Sequence, residues 1–123
     1  NQGSRARWSV ASSAAPRPLA RRYSPVLPRA FAIRDIAPRA PIHLLVIPKT
    51  GEYRDVVELA AGDPALLAEL VALARTVATD AGADDFRLVF NTGAGAGQTV
   101  FHVHGHLLAG AADAPLDEKS LSA

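Results

Sequence analysis

Residues 91–108 read Asn-Thr-Gly-Ala-Gly-Ala-Gly-Gln-Thr-Val-Phe-His-Val-His-Gly-His-Leu-Leu, a glycine-rich turn followed by a run that contains three histidines. The apolar residues over 100–108 predict a strand. Alternate residues of a strand share a face, so the imidazoles of His102, His104 and His106 are expected to point the same way. Because each buried ring nitrogen needs a hydrogen-bond partner, such a row favours a functional site over an ordinary core strand.

Working outward, the flanking sequence predicts further strands and one long helix. Strands are expected over residues 30–35, 42–47 and 86–90, and one or two helical turns within 53–60. The long helix is expected to begin with Asp63 as N-cap and Pro64 at its first position, and to end near Gly82. Between these ends, leucine and valine recur at helical spacing, which favours a core-facing stripe over a dimer contact. The order strand, strand, helix, strand, strand predicts an α+β fold, with a mainly antiparallel sheet of four to five strands covered by one long helix.

Length and composition limit the class of protein. The chain has 123 residues, 49% of them hydrophobic, which fits one domain with one core. It has no cysteine, which excludes disulfides, Cys-ligated zinc and thiol nucleophiles. The net charge of +1 gives no reason to expect specific nucleic-acid binding, and no apolar run is long enough for a membrane helix.

Charge divides the chain into segments. Residues 1–39 carry eight arginines and one acid, whereas residues 40–123 carry five bases and eleven acids. We therefore expect an irregular basic arm over 1–29, a catalytic domain over 30–110 and a tail over 111–123. The arm is interpreted as a disordered tail of a cytoplasmic protein or, alternatively, as an organelle-targeting segment, since it is rich in Arg, Ser and Ala.

Two chemistries suit a row of histidines. His-x-His on a strand can chelate zinc when further ligands such as aspartate are available. Imidazole can also attack phosphorus and then leave, with neighbouring imidazoles holding the correct tautomer. The preceding glycines favour the second chemistry, because they let backbone N–H groups approach an anion. The turn is not a Walker A loop, since no Gly-Lys-Ser/Thr follows it.

Two stretches of the sequence resemble those of a known family. His102-Val-His104-Gly-His106-Leu-Leu is similar to the histidine-triad motif, and residues 91–110 resemble the Hint-like purine-nucleoside phosphoramidase branch. Residues 34–49, Arg-Asp-Ile-Ala-Pro-Arg-Ala-Pro-Ile-His-Leu-Leu-Val-Ile-Pro-Lys, resemble the nucleoside-binding strand, turn and strand of that branch. Gly105 stands where the motif has an apolar residue.

The resemblance implies roles for the histidines. His104 would be the nucleophile that forms a nucleotidyl–imidazole intermediate, His106 would contact the phosphate, and His102 would support the triad. Thr99 would lie near the scissile bond and supply a proton to the leaving amine. His43 matches a further family histidine and is either a structural or a supporting residue.

It also implies a nucleotide-binding set. Asp35 would accept hydrogen bonds from the ribose hydroxyls, and Ile33 and Ile36 would line the base pocket. The residues expected to hold the phosphate and the leaving group are Asn91, Gly97, Gln98 and Thr99.

The resemblance thus implies a homodimeric hydrolase of purine nucleoside 5′-phosphoramidates or related AMP conjugates, acting without a metal or other cofactor. Three alternatives stay open: a dinucleoside-polyphosphate hydrolase, a non-catalytic nucleotide-binding regulator, and a metal-binding strand.

Overall fold

The computed structural model describes residues 22–23, 27–111 and 113–117. Five strands occur there: β1 (Arg22–Tyr23), β2 (Ala30–Arg34), β3 (Ile42–Pro48), β4 (Arg87–Val89) and β5 (Gly105–Ala109). Two α-helices, α1 (Val56–Gly62) and α2 (Pro64–Asp80), and a short 3₁₀ turn (Ala94–Ala96) complete the elements. The strands form one sheet in the order β1-β2-β3-β5-β4, and every neighbouring pair is antiparallel. The predicted α+β class and the mainly antiparallel sheet are confirmed.

One aspartate joins the two helices. The backbone N–H of Asp63 donates to the carbonyl of Leu59 and closes α1, while its carboxylate accepts from the N–H of Leu66 and caps α2. Pro64 occupies the first turn of α2, where a missing N–H costs no hydrogen bond. The long helix therefore begins where Asp63 and Pro64 predict. It ends at Asp80, two residues before Gly82, whose φ of +91° suits glycine.

The core lies between α2 and one face of the sheet. The buried side chains of α2 recur at helical spacing, as Leu66, Leu70, Leu73 and Val77 do. They belong to the same cluster as Leu44 and Val46 of β3 and Leu107 of β5. The leucine stripe is thus a core face, as its spacing predicts, and the opposite face of β3 and β5 is left for the histidines.

The strand predicted over 100–108 is wrong in its first half, because β5 begins only at Gly105. Residues 98–104 hydrogen-bond elsewhere: the N–H of Val103 donates to the carbonyl of Tyr53, and the carbonyl of Val100 accepts from the side chain of Gln98. Residues 100–104 hydrogen-bond to a loop and do not pair with a neighbouring strand. The alternation of side chains along a strand therefore does not apply to His102.

The segment expected to be an irregular arm contains ordered parts. Arg22–Tyr23 pairs with β2 at the edge of the sheet, and Arg29 binds Asp63 and Glu69, at and just beyond the start of α2. Arg22–Tyr23 is thus a short strand and not irregular, and for residues 1–21 and 24–26 the expectation lies outside the described residues. In the tail, Ala111 and Ala114 form an isolated bridge, and residues 118–123 also lie outside the described part. Within the part that is described, no helix is both long and apolar enough to cross a membrane.

Candidate active site

A cavity of about 210 Å³ opens at the start of β5, and we call it the histidine cavity. Its lining residues are Asp35, Ala37, Arg39, Asn91, Gly97, Gln98, Thr99, His104 and His106. Seven of the residues that the sequence predicts for the site thus meet in one place. They come from the turn between β2 and β3, from the glycine-rich turn, and from the start of β5.

The tautomer of His104 is set by the backbone. Its Nδ1 lies 2.9 Å from the carbonyl oxygen of His102. A carbonyl oxygen only accepts, so Nδ1 carries the proton and donates it. A neutral His104 therefore keeps an unprotonated Nε2, and the side chain is buried at the cavity wall. That arrangement presents a nucleophilic lone pair.

A chain of hydrogen bonds sets the tautomer of His106. The backbone N–H of Arg39 donates to Nδ1 of His43, 3.0 Å away, so a neutral His43 carries its proton on Nε2. Nε2 of His43 lies 3.0 Å from Nδ1 of His106, which must then accept. His106 is left with its proton on Nε2, as a donor. The two histidines at the cavity wall therefore have opposite characters, His104 as a nucleophile and His106 as a donor.

A buried carboxylate accompanies the imidazoles. Oδ1 of Asp35 accepts from the N–H of Ala37 at 2.8 Å. Oδ2 lies 3.4 Å from Nε2 of His43 and 3.9 Å from Nδ1 of His106. The side chains of Asp35 and His43 are only 3% and 1% exposed, so this charge is screened little by solvent. Asp35 places a negative charge beside the two imidazoles, and its carboxylate oxygens can only accept hydrogen bonds.

Asp35, His43 and His106 are close enough together to be considered as ligands of a metal ion. Ligand atoms of Asp35, His43 and His106 all lie within 4.8 Å of one another, and tetrahedral zinc places its ligand atoms about 3.3 Å apart. Spacing alone would therefore suit zinc. The tautomer does not fit, because Nε2 of His43 must bear a proton while Nδ1 accepts from Arg39. The arrangement favours a hydrogen-bonded relay over a metal centre.

The glycine-rich turn holds itself together. Gly93 and Gly97 have φ values of +90° and +96°, which disfavour other residues. The N–H groups of Ala96 and Gln98 donate to the carbonyl of Gly93, and that of Gly97 donates to Ala94. Each of these three N–H groups has a partner inside the turn, and the anion nest expected here stays a prediction.

Gln98 has a structural role that the sequence did not indicate. Its Oε1 accepts from the N–H of Gly93 at 2.8 Å, and its Nε2 donates to the carbonyls of Arg54 and Val100. The side-chain amide is buried and clamps the turn onto the loop before α1. The donor and acceptor atoms of this amide are paired within the protein, and its expected role in binding phosphate stays a prediction.

Besides His43, which contacts His106, three predicted residues lie apart from the cavity wall. Nε2 of His102 donates to the carbonyl of Pro48, at the far end of β3 from His43, about 16 Å along the strand. Ile33 is half-buried in β2, and Ile36 is 47% exposed in the turn beside Asp35. Among the described residues, none of the three lines the histidine cavity. His102 acts on the site through its backbone, since its carbonyl holds His104.

Sequence reasoning missed Arg39 and Ala37, which also line the cavity. No sequence motif points to them. Arg39 reaches the site because its N–H is bonded to His43, which fixes the turn between β2 and β3 against the histidines. It places a cationic side chain beside a cavity whose other charged group is Asp35.

Comparisons with known proteins match the chain to one family. A family model described as "HIT domain" matches residues 26–113. An uncharacterized HIT-like protein from Synechocystis sp. is 48% identical over 84 residues, which cover 65% of this chain and 70% of that protein. One from Synechococcus elongatus is 45% identical over 81 residues, with the same coverage.

Solved structures show the same fold. A HIT family hydrolase from Clostridium thermocellum superposes with a TM-score of 0.71 at 36% identity, covering 88% of this chain and 91% of that one. A HIT family hydrolase from Legionella pneumophila gives 0.67 at 36% identity, covering 82% and 88%. The shared fold extends over almost the whole length of both solved proteins.

Proposed function

Since the chain belongs to the HIT domain family, we propose that it is a nucleotide hydrolase which cleaves the P–N or P–O bond of purine nucleoside 5′-phosphoramidates or related AMP conjugates. The observation that carries this proposal is the bond between Nδ1 of His104 and the carbonyl of His102, which leaves Nε2 of His104 unprotonated inside the cavity. The hydrolases among the solved relatives support the same reaction class.

The proposed reaction has two displacements at phosphorus. In the first, the Nε2 lone pair of His104 forms a bond to the α-phosphorus, and the bond from phosphorus to the leaving nitrogen breaks. The nitrogen gains a proton from solvent, passed through the Thr99 hydroxyl at the cavity wall. In the second, water attacks phosphorus, the bond to Nε2 breaks, AMP leaves and the water proton returns to solvent.

The other cavity residues stabilise charge in this scheme. Nε2–H of His106 would donate to an oxygen on phosphorus, and its hold on that oxygen strengthens as negative charge develops. Oδ2 of Asp35 holds a negative charge next to His43 and His106, and the ribose hydroxyls would donate to this carboxylate. Chemistry at phosphorus then needs no ion beyond the groups present.

The test is hydrolysis of adenosine 5′-phosphoramidate by the wild-type protein and by His104→Ala, with and without a chelator. We expect turnover that the chelator leaves unchanged, and a loss of at least about 100-fold in the variant. Thr76→Ala, an exposed site on α2, is the control for handling and folding. Binding of AMP without turnover would contradict the proposed enzymatic activity and favour a nucleotide-binding regulator. Loss of turnover in the presence of the chelator would favour a metal-dependent reaction.

The presence of Arg39 at the cavity favours a second candidate function, that of a dinucleoside-polyphosphate hydrolase. A guanidinium at the cavity suits a leaving group that carries additional phosphates. The two candidates differ in leaving group, so comparison of kcat/KM for adenosine phosphoramidate and diadenosine tetraphosphate separates them. Arg39→Gln would lower kcat/KM only for the polyphosphate if that candidate is correct.

A further inference from the structure

Gly105 lies between the two histidines of the cavity wall, and the opposite side of the strand carries an unusual contact. A Cβ atom built at this position would lie 2.8 and 2.9 Å from Cζ and Cε1 of Phe90, and 3.1 Å from Cδ1 of Leu88. Such distances are shorter than ordinary van der Waals contact. The Phe90 ring therefore occupies the space that a side chain at 105 would fill.

The backbone does not require glycine here. The positive φ angles of the described residues fall at Gly82, Gly93 and Gly97, and Gly105 is not among them. An alanine at 105 would adopt the same backbone conformation without strain. What excludes it is the phenyl ring, so Gly105 and Phe90 form a complementary pair.

Sheet register places the pair next to the histidines. β4 pairs Leu88 with Leu107 and Val89 with His106, so Phe90 follows directly beside Gly105. Phe90 packs on the core side of the sheet, while His106 lies on the cavity side. The next residue along the chain, Asn91, lines the cavity. The ring of Phe90 thus lies behind two parts of the cavity wall, the one formed by the histidines and the one formed by Asn91.

We propose that Phe90 is a positioning residue: its ring, seated on Gly105, sets where His104, His106 and Asn91 stand on the opposite face. A glycine would otherwise soften the strand that carries the nucleophile. An aromatic ring across from a strand glycine restores the missing packing. The kinetic part of this inference rests on the proposed function.

The experiment compares Phe90→Val, Gly105→Ala and the double variant with the wild type. Phe90→Val removes the support and Gly105→Ala pushes against the ring, so each is expected to lower kcat about tenfold or more with KM within about twofold. In the double variant the new methyl group meets a smaller partner. We expect its kcat to return to within about threefold of the wild type, which is a non-additive result.

Phe86→Val is the matched control. Phe86 is also a half-buried phenylalanine packed on the same core, but Arg75 stacks on its ring and it lies before β4. We expect it to lower the melting temperature as Phe90→Val does while leaving kcat within about twofold. Equal losses of kcat for Phe86→Val and Phe90→Val, or single effects that simply multiply in the double variant, would overturn the proposal.

A second readout does not depend on the substrate. The chain has four histidines, so imidazole NMR spectra are simple to assign. Phe90→Val and Gly105→Ala should shift the ring signals of His104 and His106, Phe86→Val should not, and the double variant should reverse the shifts. These shifts in a protein that does not hydrolyse the phosphoramidate would refute the proposed function and keep the positioning role. Turnover by variants whose histidine ring signals do not shift would support the proposed function and refute the positioning role of Phe90.

Discussion

Nε2 of His43 lies 3.0 Å from Nδ1 of His106, across the junction of β3 and β5. The two residues are 63 positions apart in sequence, and both are buried. This contact favours a supporting role for His43 in the site over a purely structural one, because it joins the buried imidazole of His43 to a histidine of the cavity wall. It also transmits the proton position set at the Arg39 N–H to the cavity wall.

Replacing His43 by phenylalanine should uncouple this relay. The ring volume is kept, but the donor to His106 and the acceptor for the Arg39 N–H are both lost. We expect kcat/KM to fall about 10–100-fold, as is usual when a group that orients a site residue is removed. Phosphoramidate hydrolysis measures this, and a circular-dichroism melt verifies folding. Unchanged kcat/KM in a folded variant would show that His106 needs no such partner.

Replacing Gln98 by leucine should destabilise the protein. The substitution leaves the part-buried N–H of Gly93 and the carbonyls of Arg54 and Val100 without their side-chain partner. The expected cost is about 2–4 kcal/mol of unfolding free energy, measured by denaturant titration. Thr92→Val, at an exposed position of the same turn, should cost little. Similar costs for both variants would contradict the clamp role of Gln98.

Two glycines of the turn should respond differently to alanine. Gly97 has a φ of +96°, whereas Gly95 has an ordinary φ and open space around its Cβ position. Gly97→Ala is expected to cost about 1–2 kcal/mol, and Gly95→Ala close to nothing. Thermal or denaturant unfolding of the two variants provides the comparison. A larger loss for Gly95→Ala would show that the turn has another conformation.

The negative charge of Asp63 should stabilise the folded protein at neutral and mildly acidic pH, and this contribution should be lost in strong acid. The pKa of Asp63 lies below its usual value of 3.8, first because its carboxylate accepts from the N–H of Leu66 and then because Arg29 binds it. A lowered folded-state pKa adds stability that is present above the usual value and is lost as pH falls through the folded value. Asp63→Asn keeps a capping oxygen but does not titrate.

The melting temperatures of wild type and Asp63→Asn should therefore differ by a constant amount between pH 7 and pH 5, with the wild type higher. Below about pH 4 the difference should shrink. A difference that grows on acidification would reverse the sign of the linkage and contradict the ion pair.

Local patterns predicted most of the fold. Asp63 and Pro64 mark a helix start by chemistry that acts within four residues, and the stripe from Leu66 to Val77 shows which face is buried. Such patterns depend only on residues that are close together in the sequence. They are therefore visible in one sequence.

What the sequence did not indicate depends on distant partners. Val103 bonds to the carbonyl of Tyr53, which is why β5 starts late, and Gln98 pairs with Arg54, 44 residues away. Neither pairing leaves a local pattern. The position of Arg39 at the cavity likewise follows from its bond to His43 and from the path of the turn, and charge or periodicity gives no sign of it.

The self-contained turn also bears on how the substrate range of such a protein changes over evolution. Ala94, Gly95 and Ala96 point outward, and their side of the turn is exposed. Because the turn is held by Gly93, Gly97 and Gln98, its outer rim can accept new side chains without loss of the scaffold. The rim lies next in sequence to Gly97, which lines the histidine cavity. Under the proposed function, descendants of one such protein could therefore change their preference for a leaving group at three rim positions, while the histidines and their tautomers stay the same.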